Sequence, residues 1–509
     1  MANSYATPPR RSIRNYRIEI GLTLAGMLVL IGFSIVQRLM LGGNESPELR
    51  FLGVPLDDVY IHAQFAKSLS HGFGYSFQSG LPLTADTSPL WVVLLAIGGF
   101  LTTRFELVAI SISMLAYLAL GPGVYRVARD VFGMAENNAR LAGLGTVLSS
   151  RLAWSGMSGM ETAFATLLML LVVEEHIRSR KRNCLRAREG VLLGIALLVR
   201  PEFMFVALIL VLDWMIAASQ YHANVSASPI AIMLVAVISA PVFFLPLLTR
   251  NSLISHSSVV QGAEISFIPN FAYLWFALKI LMSNNVILFA LLIAGIWFLR
   301  QKPQYYLLYI MAFGLPILQS FIAPQFRHHG RYFFEVFPLI ILCGTAAWQE
   351  LELRIPLKNI TRKTVVAFII LAGLIETGRW SLIEAESVRN INDQHLAVVG
   401  WLQQNMRATD TLAVDDVGAI GYFLNKPVID LTGLMTPSLW PLQPNQDSVW
   451  HMARKMGANL FLIYRRLNPP FYEDHKDSLV LQQEFRVRLP LASAADTVMS
   501  IYRMKELQP

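Results

Sequence analysis

Residues 56–91 read LDDVYIHAQFAKSLSHGFGYSFQSGLPLTADTSPLW. Two adjacent carboxylates, Asp57 and Asp58, open a stretch in which Ile61, Phe65 and Leu69 recur at helical spacing. This pattern predicts a helix lying on a membrane surface, apolar side down, with its acidic end favoured by the helix dipole. His62 falls one turn beyond Asp58 on the same face. An Asp-Asp pair commonly does no more than cap a helix. Here it opens a loop of roughly sixty residues, long for a connection without a function. Gly72 and Gly74 read as loop geometry, and Thr87 or Ser88 as a cap with Pro89 at the first helical position.

The surrounding chain is bilayer-like. At 54% hydrophobic and 15% charged over 509 residues, it is too apolar for a soluble protein and reads as a polytopic membrane protein. The net charge of +8 sits largely in short loops, which sets orientation in a membrane and gives no reason to expect nucleic acid. Two cysteines, Cys184 and Cys343, supply no disulfide or metal framework. Arg10, Arg11, Arg14 and Arg17 precede an apolar run, 18–41, that reads as a retained first span.

Hydropathy predicts about eleven spans, with two ambiguous apolar pieces at 89–101 and 267–281. If 89–101 crossed alone, Arg178, Arg180, Lys181, Arg182, Arg186 and Arg188 would land outside, against the positive-inside bias. Both pieces are therefore expected as surface helices. Residues 1–384 then form a membrane domain with a cytoplasmic N-terminus and a large outer loop, 42–106. The tail, 385–509, reads as a small soluble α/β domain on the outer side, with strands at 411–414, 428–431, 460–463, 485–489 and 497–502. Helices are expected at 395–405, 417–424 and 448–456.

Charges near membrane depth tend to face a cavity. Glu161 begins a span, Arg200-Pro201-Glu202 interrupts an apolar stretch, and Arg327, His328, His329, Arg331 and Tyr332 form a basic patch one turn before Glu335. Each alone reads as an interfacial anchor or an ion pair as readily as a functional group. Together, Asp57 and Asp58 on one wall and Arg200, Arg327, His328 and Arg331 on the other suit a sugar-bearing lipid phosphate. The cations would steady the departing phosphate while one carboxylate takes the acceptor's proton. Tyr60, His62, Thr87, Ser88, Glu161, Glu202 and the loop residue His256 are the candidate substrate contacts. The two adjacent histidines lack a third ligand at useful spacing, so no zinc site is read. A divalent cation on Asp57 and Asp58 is admissible, but two oxygen ligands do not establish one.

The segments Asp57-Asp58-Val59-Tyr60-Ile61, His71-Gly72-Phe73-Gly74 and Thr87-Ser88-Pro89-Leu90-Trp91 are similar to those of the GT-C membrane glycosyltransferases. Within that group they resemble the actinobacterial terminal arabinofuranosyltransferases. Ser158-Gly159-Met160-Glu161, Arg200-Pro201-Glu202, Arg331-Tyr332 and 414–434 also resemble it, so the likeness spans nearly the whole chain. The resemblance implies a GT-C fold, a polyprenyl-phosphate sugar as donor, Asp57 or Asp58 as catalytic base, and inversion at the sugar carbon. The tail is short beside the larger carbohydrate-binding tails in that group, which leaves the sugar open between arabinofuranose and a hexose. A periplasmic glycan or a protein such as a pilin would serve as acceptor, at a bacterial inner membrane. The competing readings are a flippase for a lipid-linked saccharide, whose usual repeat halves are not visible here, and a scaffold presenting the tail. Asp415-Asp416-Val417-Gly418, with Asp430 ending the next strand, also resembles the family pattern, although an ordinary strand-to-helix turn is the simpler reading.

Overall fold

A computed structural model describes residues 13–42, 53–78, 86–221, 226–227, 229–250, 266–322, 326, 328–355, 358–424, 426–466, 469–491 and 494–505. Arg327 and His256 lie outside these residues. Five described helices are long and apolar enough to cross a membrane: Ile13–Leu41, Phe105–Val131, Pro303–Ile322, His328–Arg354 and Asn359–Asn405. In hydrocarbon a continuous helix satisfies its own backbone groups, which is why these runs take that form. The pair Phe271–Asn284 and Val286–Phe298, bent by 112°, adds a sixth if counted as one span.

These long helices do not confirm the expected count of about eleven; Pro89–Gly98, Phe203–Ile216 and Pro229–Val242 are also apolar but shorter. Several expected spans are shorter pieces: the run 138–153 splits into Glu136–Val147 and Ser150–Met157. Asparagines build the sharp bend. The Asn285 side chain accepts from the Leu288 amide and donates to the Ile369 carbonyl, while Asn284 accepts from Ser149.

The tail holds a five-stranded mixed sheet in the order Val428–Asp430, Leu412–Val414, Leu460–Ile463, Val498–Met504, Leu479–Arg486. The first three strands are parallel and the last two join antiparallel. The parallel strands are buried on both faces, as a sheet covered by helices requires. The last hairpin starts earlier than expected, at Leu479. The chain enters the tail without a break, because the helix Asn359–Asn390 continues through a π-turn into Ala397–Asn405.

The helix Asp58–Ser70 does form, yet it does not lie free on a surface. Val59, Tyr60, His62, Ala63, Phe65 and Ala66 are all buried, which covers more than one face. The tail closes over it. Tyr60 packs against Tyr422 and Phe423, the Lys67 ammonium donates to the Tyr422 carbonyl (3.2 Å), and the Gln78 amide donates to the Val428 carbonyl (2.6 Å). The Tyr422 hydroxyl reaches Glu106 (3.0 Å), tying the far end of the first loop into the same contact. Gly72 and Gly74 take positive φ, as their role in the turn requires.

Candidate active site

The two aspartates part company. Asp57 is buried and does not cap its own helix. Its carboxylate accepts the backbone N–H groups of Gly418 (2.7 Å) and Ala419 (2.8 Å), at the start of the tail helix Gly418–Leu424. The first turn of that helix has unpaired N–H groups, and a carboxylate satisfies them. A Cβ at residue 418 would collide with the Asp57 carboxylate, so glycine is what lets the tail approach.

Asp416 and His395 complete this cluster. His395 Nε2 lies 2.9 Å from Asp416, and one ligand atom from each of Asp57, His395 and Asp416 falls within 4.8 Å of the others. Burial and the adjacent Asp416 raise the Asp57 pKa well above the usual carboxylate range. Burial also opposes charge on Asp416, but His395 holds its pKa below the usual value. A metal fits this donor set poorly. His395 Nδ1 has no hydrogen-bond partner, whereas a metal-bound histidine normally donates its other N–H, and both Asp57 oxygens already accept amides. The Asp57 and Asp58 carboxylates take different partners, the Gly418 and Ala419 amides for the one and Arg331 for the other.

Asp58 faces the other way. Its side chain is about a third exposed and pairs with Arg331 Nη2 (2.7 Å), with His328 Nδ1 at 3.4 Å. Burial works against its charge, but His328 and Arg331 outweigh it and hold the Asp58 pKa at about 2. The Arg331 side chain is buried, and its Nε and Nη1 have no hydrogen-bond partner. The turn that delivers both cations is strained: His328, His329 and Gly330 all take left-handed φ, of 53°, 59° and 77°. For the two histidines this conformation is costly, and such outliers are common where function dictates geometry.

From Arg331 a chain of buried charges runs back to the first loop. Arg200 donates to the Arg331 carbonyl (3.1 Å) and to Glu335 (2.5 Å), with Glu202 at 3.5 Å and Glu161 at 3.7 Å. Glu161 in turn lies 3.7 Å from His62 Nε2, and His62 Nδ1 bonds Asp86. Asp86 also accepts from the Tyr75 hydroxyl (3.1 Å) and the Ser88 amide (2.6 Å). Burial opposes a charge on His62, but Asp86, Glu161 and Asp58 raise its pKa above the ordinary value. Arg200 is thus enclosed by carboxylates rather than offered to a ligand. Replacing it with alanine should strand buried Glu335 and cost about 3–5 kcal/mol; a thermal unfolding curve indistinguishable from wild type would contradict this.

Of the residues singled out in the sequence, Asp58, His328 and Arg331 meet directly, and His62, Glu161, Arg200 and Glu202 join them through the charge chain. Tyr60 turns instead into the tail contact. Ser88 precedes the helix Pro89–Gly98, but its hydroxyl makes no capping bond. Among the described residues the Thr87 side chain makes no hydrogen bond. Asp415 and Asp430 are turn residues: Asp415 accepts from the Tyr464 amide, and Asp430 from the Thr432 and Met435 amides. Asp86 and His395 were missed. A lone acid in the loop segment Thr84-Ala85-Asp86-Thr87 was the available signal for the first, and His395 carried none.

The family described as "Domain of unknown function (DUF8728)" matches residues 388–502. No curated protein matches the sequence. Among solved structures, the chain is similar to ArnT from Cupriavidus metallidurans bound to undecaprenyl phosphate, at a TM-score of 0.64 and 12% identity, covering 96% of this chain and 98% of that one. It is also similar to the archaeal oligosaccharyltransferase AglB from Archaeoglobus fulgidus in complex with an inhibitory peptide and a dolichol-phosphate (TM-score 0.51, 12% identity, 91% and 71% covered). A third similar structure is the arabinofuranosyltransferase AftD from Mycobacteria, at a TM-score of 0.52 and 14% identity, with 99% of this chain but 41% of that one covered. At these identities the likeness shows the fold alone, which this chain shares with these three structures.

Proposed function

We propose that the protein is a membrane glycosyltransferase that moves a sugar from a polyprenyl-phosphate donor to a hydroxyl acceptor, with Asp58 as the base. The observation that carries this reading is the pairing of partly exposed Asp58 with buried Arg331, whose Nε and Nη1 have no hydrogen-bond partner, within a GT-C fold. A guanidinium with N–H groups to spare is suited to bind phosphate.

In the proposed reaction the donor phosphate engages Arg331 and His328 and draws their charge away from Asp58. Its pKa then climbs from about 2 and the carboxylate becomes a better base. The acceptor oxygen attacks the sugar carbon from the face opposite the phosphate, its proton passes to Asp58, and the carbon–oxygen bond to phosphate breaks with its electron pair leaving on the phosphate. Arg331 and His328 stabilise that charge. Attack from the opposite face inverts the sugar carbon. Arg200 acts through its bond to the Arg331 carbonyl, as a positioning residue. The sugar would be arabinofuranose or a hexose. The acceptor would be a glycan or a protein such as a pilin, reached on the periplasmic side of a bacterial inner membrane. The membrane part, 1–384, would hold the donor, and the tail, 385–509, would cover the first loop.

Incubating the purified protein with a panel of polyprenyl-phosphate sugars tests this directly. Release of polyprenyl phosphate from one donor is expected. Movement of lipid-linked saccharide across proteoliposomes with no sugar released from any donor would sink the reading.

A further inference from the structure

Behind the strained turn, on the side away from Asp58, lies a second cation. Arg151 is 5% exposed, and among the described residues no carboxylate stands within ion-pair distance of it. Its Nη1 donates to the His329 carbonyl (3.1 Å) and its Nη2 to the Ser283 hydroxyl (2.8 Å), both neutral acceptors. Its Nε has no partner. The guanidinium sits over the Trp380 ring at 4.1 Å.

Three further nitrogens in this cluster are equally unsatisfied: Nε1 of Trp154, Nε1 of Trp380 and Nε2 of His329. The rings adjoin one another, with Trp154 and Trp380 centroids 6.2 Å apart and His329 within 5.6 Å of both. A buried donor left unpaired costs about 1–3 kcal/mol, and a buried charge without an opposite charge costs more. Glu376 acts on Arg151 electrostatically from outside ion-pair distance and lies 3.2 Å from Arg379, with its Oε2 making no hydrogen bond, which leaves the Arg151 donors to spare.

The cluster borders a surface suited to lipid. On the helix Asn359–Asn390 the Arg379 side chain is 56% exposed, between Ile375 and Leu382, which are themselves exposed, as is Leu371 one turn further along. A cation on an otherwise apolar, outward stripe is placed where a lipid headgroup meets its tails.

We propose that Arg151, Trp380, Trp154 and His329 form a second phosphate site, which holds the headgroup of a membrane lipid while its chains lie along Leu371, Ile375 and Leu382. Arg379 marks the entry. The site is distinct from the Asp58–Arg331 pair and does not depend on the proposed sugar transfer. Only the turn 328–330 separates the two, with His328 facing one and His329 the other.

The test uses the full chain, delipidated in maltoside micelles without any sugar donor. Phosphatidylglycerol, farnesyl phosphate and inorganic phosphate are titrated separately, with bound lipid counted by native mass spectrometry and tryptophan fluorescence followed. Wild type is expected to retain at least one of the two lipids. Arg151→Gln should weaken that binding by about tenfold or more, and so should Trp380→Phe, which keeps an aromatic face but replaces the indole and its N–H with a smaller ring. Arg331→Gln, which belongs to the proposed donor site, should lose any farnesyl phosphate held there but keep the lipid that Arg151→Gln releases. Whichever lipid binds identifies the source of the phosphate. Equal retention in wild type, Arg151→Gln and Trp380→Phe would overturn the proposal, as would loss in Arg331→Gln alone, binding of inorganic phosphate only, or no binding by wild type.

Discussion

Asp58→Asn is expected to lower sugar transfer by about 10²–10⁴-fold, the usual contribution of a positioned general base, in a protein that still inserts and folds. The substitution keeps an oxygen toward Arg331, and the pair is partly exposed, so the stability cost should stay near about 1 kcal/mol. The pH profile carries a further signature. The base must be ionised, so activity falls as pH drops through its pKa. In the free protein that value is about 2. If the donor phosphate draws Arg331 and His328 away, the acid limb of kcat should lie at higher pH than that of kcat/KM, because the former reports the bound complex and the latter the free enzyme. Coincident limbs would show that Arg331 keeps its grip on Asp58 throughout.

Changes at the other aspartate should act on the fold. Asp57→Ala leaves the amides of Gly418 and Ala419 without their acceptor, at about 1–3 kcal/mol each. Gly418→Ala places a Cβ about 2.5 Å from the Asp57 carbonyl oxygen, and forcing that space should cost about 1–3 kcal/mol. Both variants should loosen the tail from the first loop, exposing the segment around 418–424 to protease and lowering the unfolding temperature. If either variant matched wild type in both measurements, the contact would not be what holds the tail in place.

The tail was the most legible part of the sequence. Its strands are short apolar runs bounded by glycine, asparagine and proline, and Leu460–Ile463 lies where the pattern put it. The spans were less so, because hydropathy cannot tell whether lipid or protein buries an apolar residue. The segment His328–Arg354 is buried almost throughout, and an apolar run such as 138–153 can break into two short helices inside a bundle. The helix at Asp58 had a readable apolar stripe, but its burial on other faces comes from Tyr422 and Phe423, far away in sequence.

The same long-range packing explains the site. Acids and bases flanking the expected cavity were visible as types, and Asp58 does meet Arg331. What the sequence did not disclose was the pairing. Asp57 and Asp58 are neighbours in the chain, yet a helix start points one at the tail and the other at the strained turn. Arg200, read as a phosphate ligand, is claimed by Glu335, Glu161 and Glu202, brought in from separate elements. Arg151 gave no signal at all, since only its burial without an acid sets it apart.

The most direct test compares Asp57→Asn and Asp58→Asn in one transfer assay, with rates divided by the folded fraction. Asp57→Asn should retain transfer per folded molecule while its tail loosens, and Asp58→Asn should lose transfer while its tail stays docked. Loss of transfer in folded Asp57→Asn with near wild-type rates in Asp58→Asn would contradict the assignment of Asp58 as base and Asp57 as the tether of the tail.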